Sequence, residues 1–288
     1  MLLIGIDIGT TSVKGILVDN EGNTLGDASR GHDLVSLYSG WAEEEPEVWW
    51  NGTLSVLKDL ARLARRDGRR VTAIAVSGMV PALVLLDSEG RPVRRSIQQN
   101  DARAHEEIKL LKSSLDETEV FSLTGGGINQ QTMPPKLLWL QKHEPEIFKS
   151  ARYILGSYDY ITYKLSGKLT LEKNWALESG MFNVRTEQWI PHILHSAGIT
   201  QDMLPPIKAP TEIVGPILEE IAEETGLRED ILVVIGSGDH VASAFSAGVR
   251  DDGDVVIKFG GAGGILVCSN DLVCDERVFI DYHLIPGK

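Results

Sequence analysis

Residues 2–19 read LLIGIDIGTTSVKGILVD, and this stretch decides the fold of the chain. The apolar runs Leu2–Ile8 and Val13–Asp19 have the length and composition of strands, and a Gly- and Thr-containing turn separates them. A third extended segment, Thr24–Arg30, follows another glycine-containing turn at residues 19–22. Because connections this short join antiparallel neighbours, the sequence predicts that the chain opens with three consecutive antiparallel strands.

Beyond this opening, helical and extended patterns alternate. Glu47–Arg66 has apolar residues at helical spacing, and the β-branched run Val71–Val76 that follows is typical of a buried strand. A second buried run, Ile231–Ile235, leads through glycines into a helix of small residues, Val241–Ala247. This order predicts an α/β fold in which helices flank a mixed five-stranded sheet. The other predicted elements are strands at Ala82–Leu86, Val255–Phe259, Gly264–Val267 and Val278–Leu284, and helices at Asp101–Leu115, Pro135–Lys142, Tyr158–Leu165, Ile190–Ala197 and Ile217–Thr225.

Composition and charge argue against several classes of protein. The 288 residues are 42% hydrophobic and 24% charged, which is enough for a core without a disulfide or metal staple, so Cys268 and Cys274 are expected to be reduced. The formal net charge of −13 repels polyanions, which argues against nucleic acid as a partner. The N-terminus has no basic signal region, and no stretch approaches the ~20 apolar residues of a membrane span. We expect a cytoplasmic protein.

The first motif that could carry chemistry is DIGTTSVK, from Asp7 to Lys14. Gly9 permits a tight turn, and the hydroxyls of Thr10 and Thr11, with nearby backbone N–H groups, can face phosphate oxygens. Lys14 could neutralise phosphate charge, and Asp7 could hold Mg²⁺ through water. A polar hairpin turn whose threonines bond their own backbone would explain the same residues.

The second motif is ILVVIGSGDH, at residues 231–240, in which a hydrophobic strand delivers a glycine loop and then an acid. The glycines let a substrate approach closely. Asp239 could accept the proton of a hydroxyl group while its oxygen attacks a γ-phosphate. Asp is also a favoured N-cap residue, so capping of the following helix would explain Asp239 without any chemistry.

The third motif is FGGAGG, at residues 259–264, between two predicted strands. A loop this rich in glycine can let several backbone N–H groups crowd around an anion, such as a phosphate. It can equally be the turn of a plain hairpin. By itself, this motif does not separate the two interpretations.

Taken together, the three motifs resemble the actin-like sugar kinases. More narrowly, the chain resembles the FGGY family of carbohydrate kinases, which includes xylulokinase, glycerol kinase and gluconate kinase, and within it the xylulokinases most. The resemblance runs the full length of the chain, and the motifs that carry it, in family order, are IGIDIGTT at 4–11, WAEEEPEVWW at 41–50, LLDSEGRPV at 85–93, NDAR at 100–103, PKLLWL at 135–140, DY at 159–160 and GSGD at 236–239.

This resemblance implies an actin-like (ribonuclease-H-like) ATPase fold and ATP-dependent phosphorylation of a sugar or polyol hydroxyl, with Mg²⁺. It implies that residues 1–250 form the N-terminal sugar-binding domain and that residues 251–288 begin a C-terminal nucleotide-binding domain. On this interpretation the chain is the N-terminal half of a kinase, inactive alone. The strands predicted at residues 255–284 would leave an unpaired sheet edge, which favours association, so a homodimer is possible.

The resemblance also assigns roles to individual residues. Asp239 matches the general base that deprotonates the sugar hydroxyl. The residues that match the first phosphate loop are Asp7, Gly9, Thr10, Thr11 and Lys14, and those that match the second are Gly260, Gly261 and Gly263. The sugar pocket is matched by Met79, Val80, Pro81 and His240, with Asn100 and Asp101 on a segment beside it.

Several residues depart from the xylulokinase pattern. Xylulokinases have Gln-Met-His where this chain has residues 79–81, and a tryptophan where it has Gln99. His240 replaces the usual Asn or Gln, and the second glycine loop lacks its hydroxyl residues. Because an apolar pocket cannot recognise the same sugar hydroxyls, a sugar or polyol other than xylulose is expected.

Two other functions remain open. A sugar sensor or regulator that binds without phosphorylating would share the scaffold and tolerate the altered residues. An actin-like assembly protein would share the strand pattern but not the motifs at residues 41–50 and 100–103.

Overall fold

The computed structural model describes residues 1–259 and 263–288 of the chain. The strands in this part are β1 (Leu2–Ile8), β2 (Ser12–Asp19), β3 (Thr24–Gly31), β4 (Glu43–Glu44), β5 (Val71–Gly78), β6 (Val84–Leu86), β7 (Ser96–Ile97), β8 (Tyr153–Leu155), β9 (Leu171–Glu172), β10 (Phe182–Asn183), β11 (Gln188–Trp189), β12 (Ile207–Lys208), β13 (Ile213–Pro216), β14 (Leu232–Gly238), β15 (Val255–Lys258) and β16 (Gly264–Val267). The helices are α1 (Pro46–Asp67), α2 (His105–Ser114), α3 (Glu117–Thr124), α4 (Met133–His143), α5 (Pro145–Ser150), α6 (Ser157–Ser166), α7 (Lys173–Glu178), α8 (Pro191–Ser196), α9 (Glu219–Thr225) and α10 (Asp239–Ser246), with a 3₁₀ turn at Gln201–Met203.

Six of the described strands form the central sheet, in the order β13-β14-β5-β1-β2-β3. Strands β1, β2 and β3 are antiparallel neighbours, as the opening sequence predicts, whereas β1, β5 and β14 run parallel to one another. The mixed sheet is therefore confirmed, but the predicted count of five strands is wrong. The additional strand is β13 at the edge, antiparallel to β14. Its four residues include a glycine and a proline, so the sequence shows no alternation that would indicate a strand.

Helix α1 shows how residue spacing becomes packing. Trp49, Leu57 and Leu60 of its apolar stripe are 0% exposed, and the helix packs on β2 and β3. Burial of a side chain of this size stabilises the fold by ~1.5–3 kcal/mol. The close approach of helix and sheet depends on Gly15 in β2, because a Cβ at that position would overlap Val56 of the helix.

Three parallel strands end side by side. In the sheet register, Ile8 at the end of β1 is paired with Gly78 at the end of β5, and Gly78 is paired with Gly238 at the end of β14. The loops that follow these three strands therefore start at the same edge of the sheet. Sites in α/β sheets lie at such carboxyl ends, so the topology places the first motif, the segment at residues 79–81 and Asp239 together.

Two of the predicted elements change. Val278–Leu284 is not a strand: the Tyr282 N–H donates to Asn174 Oδ1 at 2.7 Å, and Asn174 Nδ2 donates to the Tyr282 carbonyl at 3.0 Å. An amide side chain thus takes the place of a neighbouring strand. The predicted helix Ile217–Thr225 starts two residues late, because the Ile217 N–H instead donates to the carbonyl of Ile231 at 2.8 Å.

The remaining predicted helices and strands are present, with ends shifted by a few residues. The predicted strands β15 and β16 are present, and they pair with each other in a separate two-stranded antiparallel sheet. Cys268 and Cys274 are free thiols. Among the described residues, no helix combines the length and the apolar character that crossing a membrane requires.

Candidate active site

Asp7 lies at the end of β1, half-buried, beside the end of β5. Ser77 Oγ donates a hydrogen bond to Asp7 Oδ1 at 2.8 Å. Burial raises the pKa of Asp7, the bond from Ser77 opposes this, the negative charge of Asp239 adds to it, and the positive charge of Lys14 lowers it. Asp7 therefore lies within electrostatic reach of both Asp239 and Lys14, although the three come from different strands or helices.

The turn between β1 and β2 is tight and open to solvent. The Gly9 N–H donates to the Ser12 carbonyl at 3.1 Å, and a Cβ at Gly9 would lie 3.6 Å from Asp7 Oδ2. Thr10 and Thr11 are exposed at the tip of the turn. The hydroxyl groups of Thr10 and Thr11 are thus accessible to an anion at the turn that follows Asp7.

Lys14 faces the same site from the second strand. It is exposed, and the sheet register pairs it directly with Asp7 on the neighbouring strand. Directly paired residues on antiparallel strands have their side chains on the same face of the sheet. The structure therefore brings the residues of the first motif together around the hairpin.

Asp239 is the first residue of α10, and the N-cap position belongs to Gly238. The carboxylate is therefore not the N-cap, which was the alternative explanation for this residue. Its side chain is 50% exposed, at the edge where β14 ends. An exposed carboxylate at a helix N-terminus, beside a glycine, is sterically accessible to a small molecule.

Met79, Val80 and Pro81 follow β5 and are all buried. Ser157 Oγ donates to the Met79 carbonyl at 2.8 Å, and the Val80–Pro81 peptide bond is cis. A Cβ at Gly238 would lie only 2.7 Å from Val80 Cγ1, so this segment packs directly against the loop that carries Asp239. The segment is apolar and buried, and it supplies no polar side chain to this edge.

Asp101 and Asn100 have different surroundings. Asp101 is 1% exposed; its carboxylate accepts hydrogen bonds from the Ala42 N–H at 2.6 Å and from Arg103 Nη2 at 2.8 Å. Asn100 is exposed, and its carbonyl accepts a hydrogen bond from Gln130 Nε2 at 2.7 Å. The Asp101 carboxylate is thus committed to a buried network, whereas the Asn100 side chain is accessible.

The second glycine loop is only partly described. Gly260 and Gly261 lie outside the described residues. Gly263 is exposed and immediately precedes β16. The predicted phosphate-binding role of this loop therefore stays a prediction.

His240 follows Asp239 in α10 and has acidic neighbours that sequence reasoning missed. Its Nδ1 lies 3.5 Å from Asp239 Oδ1, and its Nε2 lies 3.0 Å from Asp281 Oδ2 and 3.8 Å from Glu178 Oε1. Burial lowers the pKa of His240, but the bonds to Asp239 and Asp281 and the charges of Asp281 and Glu178 outweigh it and raise the pKa to about 11. Glu178 and Asp281 are far apart in sequence and carry no motif, so no sequence signal pointed to them.

These positions can be set beside known proteins. Residues 2–246 match the model of the FGGY family of carbohydrate kinases, N-terminal domain. The chain belongs to this family. The solved structures that this chain resembles are sugar kinases with the actin-like ATPase fold, which confirms the expected fold. The resemblance to xylulokinases is also confirmed.

The similarity between this FGGY-family chain and its relatives extends along nearly all of its length. Xylulose kinase of Staphylococcus xylosus is 31% identical over 288 residues, which are 99% of this chain and 59% of that protein. The crystal structure of xylulose kinase from Rhodospirillum rubrum matches with a TM-score of 0.97 and 40% identity, covering 100% of this chain and 59% of that one. The crystal structure of gluconate kinase from Lactobacillus acidophilus matches with a TM-score of 0.86 and 28% identity, covering 92% and 53%. The chain therefore spans a little over half the length of these relatives.

Proposed function

We propose that a protein containing this chain phosphorylates a hydroxyl group of a sugar or polyol, using ATP and Mg²⁺. The observation that carries the proposal is the shared edge at which β1, β5 and β14 end. That edge holds the exposed hydroxyl hairpin and the accessible carboxylate of Asp239, whose loop packs on the buried apolar residues 79–81. A phosphate-binding turn and a base placed together are what phosphoryl transfer to a hydroxyl needs.

Asp239 is the proposed general base. Its carboxylate takes the proton of the acceptor hydroxyl as that oxygen attacks the γ-phosphate of ATP, and the P–O bond to ADP breaks. The N–H groups of the first hairpin, with Thr10, Thr11 and Lys14, hold phosphate oxygens and stabilise the charge that develops on the moving group. Gly9 keeps this turn tight enough to lie beside the site.

Asp7 is the residue proposed to hold Mg²⁺, through water. The fit rests on its donor atoms: Oδ1 accepts the bond from Ser77, which fixes the carboxylate, and Oδ2 is left on the side of the hairpin. A carboxylate with several water molecules is the environment that Mg²⁺ prefers. The bound ion would supply neutralisation of phosphate charge.

The acceptor is proposed to bind between His240 and the segment at residues 79–81, with Asn100 beside the pocket. Since residues 79–81 provide no polar side chain, the hydroxyl pattern must be recognised by other groups, such as His240 and Asp239. For this reason xylulose is not proposed as the acceptor, and the class stays a sugar or polyol. Asp101 contributes by fixing the segment that carries Asn100, through its buried hydrogen bonds to Ala42 and Arg103.

Two domains share the reaction in this proposal. Residues 1–250 form the sugar-binding domain. Residues 251–288, with hairpin β15–β16 and the glycines Gly260, Gly261 and Gly263, begin the nucleotide-binding domain. A further domain would complete the nucleotide site, so the chain of 288 residues by itself is not expected to turn over.

The test is ADP formation by a protein that joins this chain to the remaining domain, measured across ketoses, aldoses, polyols and sugar acids. A responding acceptor, with turnover reduced ~10²–10⁴-fold by Asp239→Asn, is the expected result. Asp27→Asn, on the exposed part of β3, is the matched control and keeps full activity. Sugar binding without ADP formation from any acceptor would overturn the proposal and favour a sensor.

A further inference from the structure

Three separate parts of the chain bring potential metal ligands together beside Asp239. Glu178 is the last residue of α7, His240 lies in the first turn of α10, and Asp281 belongs to the segment that follows β16. One carboxylate oxygen from each acid and one imidazole nitrogen all lie within 4.8 Å of one another. Residues that converge from distant points in sequence reflect the tertiary fold and not a local charge run.

An N–H group on His240 Nε2 can donate a hydrogen bond to only one of the two carboxylates. Nε2 lies 3.0 Å from Asp281 Oδ2, which is a hydrogen-bond distance, but Glu178 Oε1 is 3.8 Å away, which is not. Glu178 Oε1 is shielded from solvent and accepts no hydrogen bond from any described residue. An anionic oxygen shielded in this way costs free energy unless a donor or a cation reaches it.

We infer that Glu178, His240 and Asp281 form a binding site for one divalent transition-metal ion. One imidazole nitrogen with two carboxylate oxygens is a donor set that suits Zn²⁺, Co²⁺ or Mn²⁺, whereas Mg²⁺ prefers oxygen alone. The site therefore differs in chemistry from the Mg²⁺ position proposed at Asp7.

The surroundings of the ligands are also suitable for an ion. The second ring nitrogen of His240 faces Asp239 Oδ1 at 3.5 Å, and metal-bound histidines commonly have a carboxylate on that side. The two hydrogen bonds between Asn174 and Tyr282 hold the residue next to Asp281 in place whether or not an ion is bound. A bound ion would then join α7, α10 and the segment after β16.

The test uses the 288-residue chain, freed of metal with a chelator and titrated with Co²⁺ or Zn²⁺ in excess Mg²⁺. Calorimetry measures stoichiometry and affinity, and the visible absorption of Co²⁺ reports nitrogen and oxygen ligation. We expect one ion per chain, and a higher melting temperature when it is bound. Each of Glu178→Gln, His240→Gln and Asp281→Asn weakens binding by at least about tenfold and removes the shift in melting temperature.

The exposed pair His105 and Glu106 provides the matched control, since their side chains also approach to 3.1 Å but have only one carboxylate. His105→Gln is expected to bind like the unmodified chain, and Asp7→Asn likewise, because Mg²⁺ occupies a different position. Asp281→Glu keeps a carboxylate and retains measurable binding, which separates loss of a ligand from loss of the fold. Absence of binding, or equal loss in the His105 and His240 variants, would overturn the inference.

Discussion

Asp101 and Asp239 are both acidic residues in motifs that resemble the carbohydrate kinases, yet their surroundings in the structure are opposite. Asp101 is 1% exposed and accepts bonds from Ala42 and Arg103, while the Asp239 side chain is 50% exposed. The buried carboxylate has partners that hold the fold; the exposed one is left accessible at the end of a strand. A carboxylate available for chemistry is one that the fold has not already used.

The buried side of this comparison is a network. Arg103 pairs with Asp101 at 2.8 Å and with Glu43 at 2.8 Å, and its guanidinium lies 3.8 Å from the centre of the Trp41 ring. Charges buried together stabilise a fold only while every partner is present, because removal of one leaves the other uncompensated. The Asp239 carboxylate faces His240 Nδ1 at 3.5 Å but is half exposed to water, so its substitution should affect activity more than stability.

The largest effect on stability is expected for Asp101→Asn. The change leaves the buried guanidinium of Arg103 with less compensating charge and should destabilise the chain by about 3 kcal/mol. Urea unfolding followed by circular dichroism measures it. A loss below about 0.5 kcal/mol would show that the network is not what holds this region, and the comparison would fail.

A smaller loss is expected for Trp41→Leu. The substitution removes the ring that lies over Arg103 while keeping an apolar side chain, so about 1–2 kcal/mol should be lost. The same unfolding measurement applies. Leu110→Ala, at a position 59% exposed on α2, is the control and should change the free energy of unfolding little. Equal effects of the two changes would remove Trp41 from the network.

A gain in stability is expected for Asp7→Asn. Burial raises the pKa of Asp7 in the folded chain, so its ionisation opposes folding at neutral pH. Asn keeps an oxygen to accept the bond from Ser77 and removes the charge. The gain should be present at pH 7 and should disappear as the pH falls through the folded pKa towards the unfolded value, about 4. Unfolding measured from pH 3 to 7 tests this; a gain independent of pH would contradict the charge explanation.

The smallest effect on stability is expected for Asp239→Asn. Because the side chain is half exposed, the free energy of unfolding should stay within about 0.5 kcal/mol of the unmodified chain. Under the proposed function, the same substitution reduces turnover ~10²–10⁴-fold in a protein that joins this chain to the remaining domain. Thermal and urea unfolding give the first quantity. A loss of unfolding free energy comparable to that of Asp101→Asn would show that Asp239 stabilises the fold as Asp101 does.

The sequence by itself determined the opening three-stranded sheet, the helix α1, the strands β5 and β14 and the family. The strands and the helix are local features: apolar alternation and spacing, turn glycines and short connections specify them without reference to distant residues. The family, and with it the roles of Asp7, the hydroxyl turn and Asp239, follows from the resemblance of the motifs taken together, because each motif alone also fits a structural explanation. Strand β13 and short helices such as α7 were missed because these elements are too short to show a recognisable alternation of apolar and polar residues.

Only the tertiary structure decided which of these residues meet. The parallel register of β1, β5 and β14 brings Asp7 and the loop of Asp239 to one edge, although more than 200 residues separate them in sequence. The tertiary structure buries Asp101 and gives its carboxylate hydrogen-bond partners. It also brings Glu178 and Asp281 close to His240. The predicted strand Val278–Leu284 was wrong for the same reason, because the side chain of Asn174 pairs with that backbone in place of a strand. Long-range pairing depends on which surfaces are buried together, and a local pattern of residues does not contain that information.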